Sequence, residues 1–123
     1  MTDHAFYAQT LRFVAGKTER VDDRVAAMMD ALTAAAADIE QSGAVAVAPE
    51  RIELTARAFA GVAGFLQKQI LPEVVAHANQ AGERQVRWSI DTSMDIVNRL
   101  LGAVARGEAE ATIKVELPPP PGQ

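Results

Sequence analysis

Few residues of this sequence have types and spacings that could support catalysis or metal binding. The clearest set is a row of two arginines and two aspartates at intervals of four residues: Arg87, Asp91, Asp95 and Arg99. On a helix such residues lie along one side, and two carboxylates one turn apart could share a proton or bind a divalent cation. Because an arginine stands at each end, the row instead indicates a line of exposed or inter-subunit ion pairs.

Histidine and cysteine residues offer equally few candidates for a metal site or a catalytic group. Glu73 and His77 are one helical turn apart and could supply two metal ligands, but a stable site needs three or four, and the other histidine is His4 near the N-terminus. The chain contains no cysteine, which excludes disulfides and thiolate sites. We find no nucleophile–base set, phosphate loop or dinucleotide fingerprint. The sequence therefore argues against enzymatic activity, and we expect neither a cofactor nor a bound metal.

Two glycines inside an apolar segment are the most informative anomaly. Gly61 and Gly64 each destabilise a helix interior by about 0.5–1 kcal/mol relative to alanine. The first interpretation is a small-residue face that another helix approaches closely. The alternative is an apolar ligand pocket against the bare backbone, and the residues assigned to it are Phe59, Gly61, Gly64, Phe65 and Trp88. The single tryptophan is interpreted first as a core or interface anchor.

Composition narrows the class of protein. The 123 residues are 49% apolar, much of this alanine, and only 5% aromatic, so burial per residue is small and association is favoured. A net charge of −4 and scattered arginines make nucleic-acid binding unlikely, although an assembled surface could still be basic. The longest apolar run, Ala58–Leu66, is less than half of the ~20 residues that span a bilayer. No membrane association and a cytoplasmic location are expected.

The elements that must position these residues are mainly helical. Apolar residues alternate at spacings of three and four from Leu11 to Ile39, which is the heptad pattern of a coiled-coil-like seam. Gly16 could end a short first helix, but the pattern keeps its phase across it, so we predict one very long helix over about 3–41. Its seam needs a second protomer, and the predicted oligomer interface consists of Leu11, Val14, Val21, Val25, Met28, Leu32 and Ile39.

The remaining elements follow from composition and periodicity. A second helix is predicted over about 49–81 with a kink near Pro72, because proline removes a backbone donor. A third, over about 83–106, ends before Gly107 and has the predicted inward stripe Val86, Ile90, Met94, Val97, Leu101 and Val104. Segments 44–48 and 111–117 read as short strands, and we predict that they pair, since unpaired strands leave backbone groups unsatisfied. Residues 118–123 are predicted to be a proline-rich disordered tail.

Together these elements predict a single helical domain over 1–117. Its expected fold is mainly α, a three-helix antiparallel bundle with a very long first helix and a minor two-stranded ribbon, assembled as a dimer. The leading functional hypothesis is a non-enzymatic homo-oligomeric interaction or scaffold protein. The alternatives are a small-ligand-binding helical sensor with an apolar pocket near Gly61 and Gly64, and a nucleic-acid-associated accessory protein.

Overall fold

The computed structural model describes residues 3–119 of the chain, so the end of the predicted tail, 120–123, lies outside the described residues. The protein is mainly helical with a small antiparallel sheet, as predicted. Its α-helices and strands occur in the following order: α1 Asp3–Lys17, α2 Asp23–Ser42, β1 Ala44–Val47, α3 Ile52–Phe65, α4 Leu71–Ala76, α5 Gln80–Ala105 and β2 Ile113–Glu116.

The structure corrects the predicted long first helix over 3–41, which is two helices that fold back on each other. Residues 18–22 connect α1 to α2, and Gly16 lies inside α1. Asp22 caps α2, because its carboxylate accepts a hydrogen bond from the Val25 N–H at 2.8 Å. Folding back buries the apolar faces of α1 and α2 against each other within one chain. The very long helix, and the need for another protomer along it, are therefore absent from the described residues.

The helix predicted over 49–81 is a composite. Residues Pro49–Arg51 form a 3₁₀ turn before α3, and a π-helical segment, Leu66–Ile70, joins α3 to α4. Within it the Leu71 N–H donates to the Leu66 carbonyl, five residues back. Pro72 accounts for this wider turn, since its ring lacks an N–H and crowds the carbonyl four residues earlier. The α4 helix ends at Ala76, five residues before the predicted end.

The last helix and the two strands follow the prediction closely. Asn79 caps the start of α5, accepting a hydrogen bond from the Gly82 N–H at 2.9 Å. After its end, Gly107 has a φ of +73°, and its N–H donates to Val104 while the next N–H donates to Ala103, which is a Schellman motif. Strands β1 and β2 pair antiparallel, with Val45 opposite Val115, which confirms the predicted pairing.

The core lies between two helix pairs, α1 with α2 and α3 with α5, while α2 also packs on α3. The sheet adds Val45, Val47 and Val115 to this core. The largest side chains that are fully buried come from all four of these helices and the sheet: Tyr7, Leu11, Leu32, Ile39, Phe59, Val62, Ile96, Leu100, Val45 and Val115.

Candidate interaction surface

The seven residues predicted to form an oligomer seam are mostly covered within the chain. Leu11, Val14, Leu32 and Ile39 are at most 4% exposed. Val25 and Met28 are partly buried and pack against the core. Val21 is 68% exposed because it lies in the connection between α1 and α2. Burial of this seam thus needs no second copy.

The five residues assigned to a ligand pocket do not converge on one cavity. Phe59 is fully buried in the core. Trp88 packs edge-to-face on Tyr7, with ring centroids 5.8 Å apart, and its indole N–H donates to the Pro119 carbonyl at 2.7 Å. This arrangement matches the interpretation of Trp88 as an anchor.

The two glycines have no packing explanation within the described residues. Gly61 and Phe65 line a shallow groove between α3 and the ends of α1 and α2. A Cβ atom added at Gly61 or Gly64 would have no heavy atom within 4 Å beyond its own helix backbone and chain neighbours. The expected close approach of another helix is therefore wrong for this single chain, and the glycines leave a smooth, open strip on α3.

The α5 helix has a row of exposed apolar side chains. Met94 is 38% exposed, Leu101 50% and Val104 51%. Together with the partly buried Ile90 and the mostly buried Val97 they recur at spacings of four, three, four and three: Ile90, Met94, Val97, Leu101 and Val104. We call these five residues the α5 stripe. It has the heptad periodicity of a helix-packing seam, but much of it faces outward.

This result corrects the predicted inward stripe of α5 in part: Val86 and Val97 are buried and Ile90 packs against the core, as predicted, whereas Met94, Leu101 and Val104 are exposed. The helix turns a partly polar face to the core, with Ser89, Thr92 and Ser93 fully buried beside Ile96 and Leu100. Two of the buried hydroxyls donate to carbonyls four residues earlier, at 2.9 Å in each case. Because these bonds satisfy the hydroxyl protons locally, serine can be buried without another partner, and a pattern of aliphatic residues alone does not reveal that face.

Small residues border the stripe. Ile90 and Asp91 of α5 share a shallow surface groove with Gln67 of the π-helical segment. Gly64 and Ala60 lie three and seven residues before Gln67, so helical periodicity places them near the same side of α3. The α3 helix packs more extensively against α5 than against any other element, so this strip lies on the helix next to the one that carries the stripe.

The charged row predicted on α5 flanks the stripe. Asp95 pairs with Arg99 at 3.0 Å and Glu83 with Arg87 at 3.7 Å, which agrees with the interpretation as ion pairs. Asp91 has no ion-pair partner among the residues that the structure describes. The acids Asp91 and Asp95 precede the centre of the stripe, and Arg99 follows it.

Other candidate chemistry is not supported by the geometry. His77 is exposed, and its Nδ1 atom lies 2.7 Å from the backbone carbonyl oxygen of Glu73. Its hydrogen bond to Glu73 is therefore made to the backbone and not to the carboxylate. Within residues 3–119 no three histidine, cysteine or acidic side chains form a metal-binding group, and no helix has the length and apolarity needed to cross a membrane. Seven arginines are engaged in ion pairs.

Comparisons with known proteins give no indication of the function of this chain. No family model matches the chain, and no curated protein or solved structure is significantly similar to it.

Proposed function

We propose that this protein is a non-enzymatic homo-oligomeric scaffold whose copies associate through the α5 stripe. The observation that supports the proposal is the exposure of Met94, Leu101 and Val104 at helix-packing periodicity. A side chain that is half exposed regains roughly 1 kcal/mol when its remaining apolar area is covered. Another helix with the same periodicity covers such a stripe best, and a second copy supplies one.

The charges favour an antiparallel arrangement of the two α5 helices. A parallel pair would bring Asp91 close to its own counterpart. An antiparallel pair, related by a two-fold axis near Asn98, moves the two copies of Asp91 apart along the helix axis, to opposite ends of the interface. In that arrangement the open strip at Gly64 lets the partner helix approach α3 closely, which would explain a glycine that has no function within one chain.

The test is the solution mass of the full chain by sedimentation equilibrium over a wide concentration range. Leu101→Asp should convert the oligomer to a monomer, because the carboxylate would be buried in the interface. Val75→Asp on α4 is the matched control, since Val75 is 48% exposed and lies outside the stripe. The proposal is wrong if the wild-type chain is monomeric at all concentrations, or if both variants change the mass equally.

A second candidate function, binding of a small ligand, is favoured by one surface groove. A cavity of about 290 Å³ lies between α1, the π-helical segment and α5. Its lining is entirely uncharged: Phe6, Gln9, Thr10, Phe13, Leu66, Ile70, Val86 and Ser89. Such a lining suits a neutral apolar molecule, and ligand-dependent melting would detect it. An Ile70→Trp variant, which fills the groove, should abolish any increase in Tm caused by a neutral probe such as Nile red.

A further inference from the structure

Within residues 3–119, strand β1 has one edge that no strand covers. The two-stranded sheet places β2 on one side of β1, and the Leu117 N–H donates to the Gly43 carbonyl at 3.2 Å. In an antiparallel ladder hydrogen-bonded pairs alternate, so Val45 and Val47 direct their backbone groups to β2. The N–H and C=O of Ala46 therefore point to the opposite, open edge.

This edge lacks the features that usually prevent strand addition. Residues 44–47 read AVAV, with no charge and no proline, and the four residue pairs of the ladder follow one another without a bulge. Proline occurs only after the strand, at Pro49. In β2, by contrast, Lys114 and Glu116 are exposed and Pro118 follows the strand. The open edge of β1 is thus a template for another strand.

A groove with a smooth floor runs along the open edge. It has a volume of about 250 Å³ and lies between β1 and α2, closed at one side by the start of α3. Three alanines of α2 line it, Ala31, Ala34 and Ala35, together with residues 45–47 of β1 and the following Ala48. Methyl groups leave room for an extended backbone and for small side chains, but not for a second helix.

Opposite charges occupy the two ends of the groove. Asp38 lies one turn before the end of α2, near the start of β1, and Arg51 follows the end of β1; both line the groove. Neither side chain has an ion-pair partner within the described part of the chain. An occupant is therefore favoured if it has a basic group near Asp38 and an acidic group near Arg51.

We infer that the β1–α2 groove binds an extended peptide, which adds to the open edge of β1 as a third, antiparallel strand. Backbone hydrogen bonds to Ala46 would supply the affinity, and the two end charges would select a peptide with an acidic N-terminal end and a basic C-terminal end.

Synthetic peptides test the inference by NMR titration of the ¹⁵N-labelled full chain. The probe is an acetylated and amidated heptapeptide of alternating valine and threonine, with glutamate first and lysine last. We expect saturable shifts centred on the Ala46 amide. A peptide with glutamate and lysine exchanged should bind at least tenfold more weakly, and a peptide N-methylated along the edge that faces β1 should not bind. The inference is wrong if the three peptides bind equally well, or if none of them binds.

Two matched arginine variants of α2 separate groove binding from general effects. Ala34→Arg places a long side chain in the groove and should weaken binding by tenfold or more. Thr33→Arg adds the same charge at the neighbouring exposed position, which does not line the groove, and should leave binding unchanged. Loss of binding in both variants contradicts the proposed location. If Ala34→Arg instead dissociates an oligomer that Leu101→Asp leaves intact, the occupant is a second copy and the peptide assignment is wrong.

Discussion

A buried hydrogen-bonded pair between α1 and α5 permits a quantitative test of the fold. The Tyr7 hydroxyl lies 2.6 Å from the Ser93 Oγ atom, and both residues are fully buried. Ser93 donates its own proton to the Ser89 carbonyl at 2.9 Å. Because that proton is engaged, Tyr7 must be the donor and Ser93 the acceptor. The two partners are therefore not equivalent, and removing each should have a different effect.

The expected magnitudes follow from this asymmetry. Tyr7→Phe removes the donor, leaves the bond from Ser93 to Ser89 intact, and should lower the free energy of unfolding by about 1 kcal/mol. Ser93→Ala leaves the buried Tyr7 O–H without an acceptor and also creates a small void, so it should cost about 2–3 kcal/mol. The double variant removes the donor together with the acceptor. It should be no less stable than Ser93→Ala alone.

Urea unfolding of the four proteins measures these values. Far-UV circular dichroism reports the helices, and the fluorescence of Trp88, which packs on Tyr7, reports this part of the core. A change of 1 kcal/mol corresponds to roughly 4 °C in Tm for a chain of this size. The reasoning is refuted if Tyr7→Phe is the more damaging single substitution. It is also refuted if the two effects add, since a direct hydrogen bond requires a coupling energy between them.

Three further substitutions or conditions have defined outcomes. Gly64→Ala should raise the stability of the monomer by about 0.5–1 kcal/mol, since nothing obstructs the added methyl group, and should weaken self-association in sedimentation if the α5 stripe and α3 form the interface. The Thr92 hydroxyl is buried without a partner in the described structure, so Thr92→Val should be neutral or raise Tm in calorimetry; a fall above 1 kcal/mol would contradict this. Burial raises the pKa of Tyr7 above its ordinary value near 10, so the stability that neutral Tyr7 contributes is complete below pH 10 and is lost as the pH rises further. Urea unfolding at pH 8 and pH 11 should show this loss in the wild type and not in Tyr7→Phe.

The sequence predicts elements well where a local signal ends them. Gly107 marks the end of α5 because a left-handed residue there closes the last carbonyl bonds. The alternation in 111–117 predicts the second strand for a similar reason. The break between α1 and α2 was missed because a heptad pattern reports only which face of each helix is apolar. It does not report whether the chain folds back. The local signals were Gly16, which lies inside α1, and Asp22, a good capping residue inside a charged segment.

The exposed α5 stripe could not be predicted from the sequence, for a different physical reason. Along α5 the aliphatic residues at heptad spacing were predicted to form the core face. Local hydrogen bonds to the helix backbone invert that assignment at Ser89 and Ser93. Which face is buried depends on what α1 and α3 present to it. The Tyr7 hydroxyl, which needs a polar acceptor, is one such tertiary requirement.

The exposed apolar area of the α5 stripe also determines how strongly two copies of the chain should associate. Covering the exposed parts of Met94, Leu101 and Val104 in both copies of a dimer would stabilise it by roughly 6 kcal/mol in total. Association opposes this with a loss of translational and rotational freedom of at least about 4 kcal/mol. The difference of roughly 2 kcal/mol corresponds to a Kd in the millimolar range or weaker, so the stripe alone supports only a very weak dimer, and close helix approach at Gly64 must strengthen it. Assembly should accordingly depend on protein concentration, whereas the fold of each chain should not.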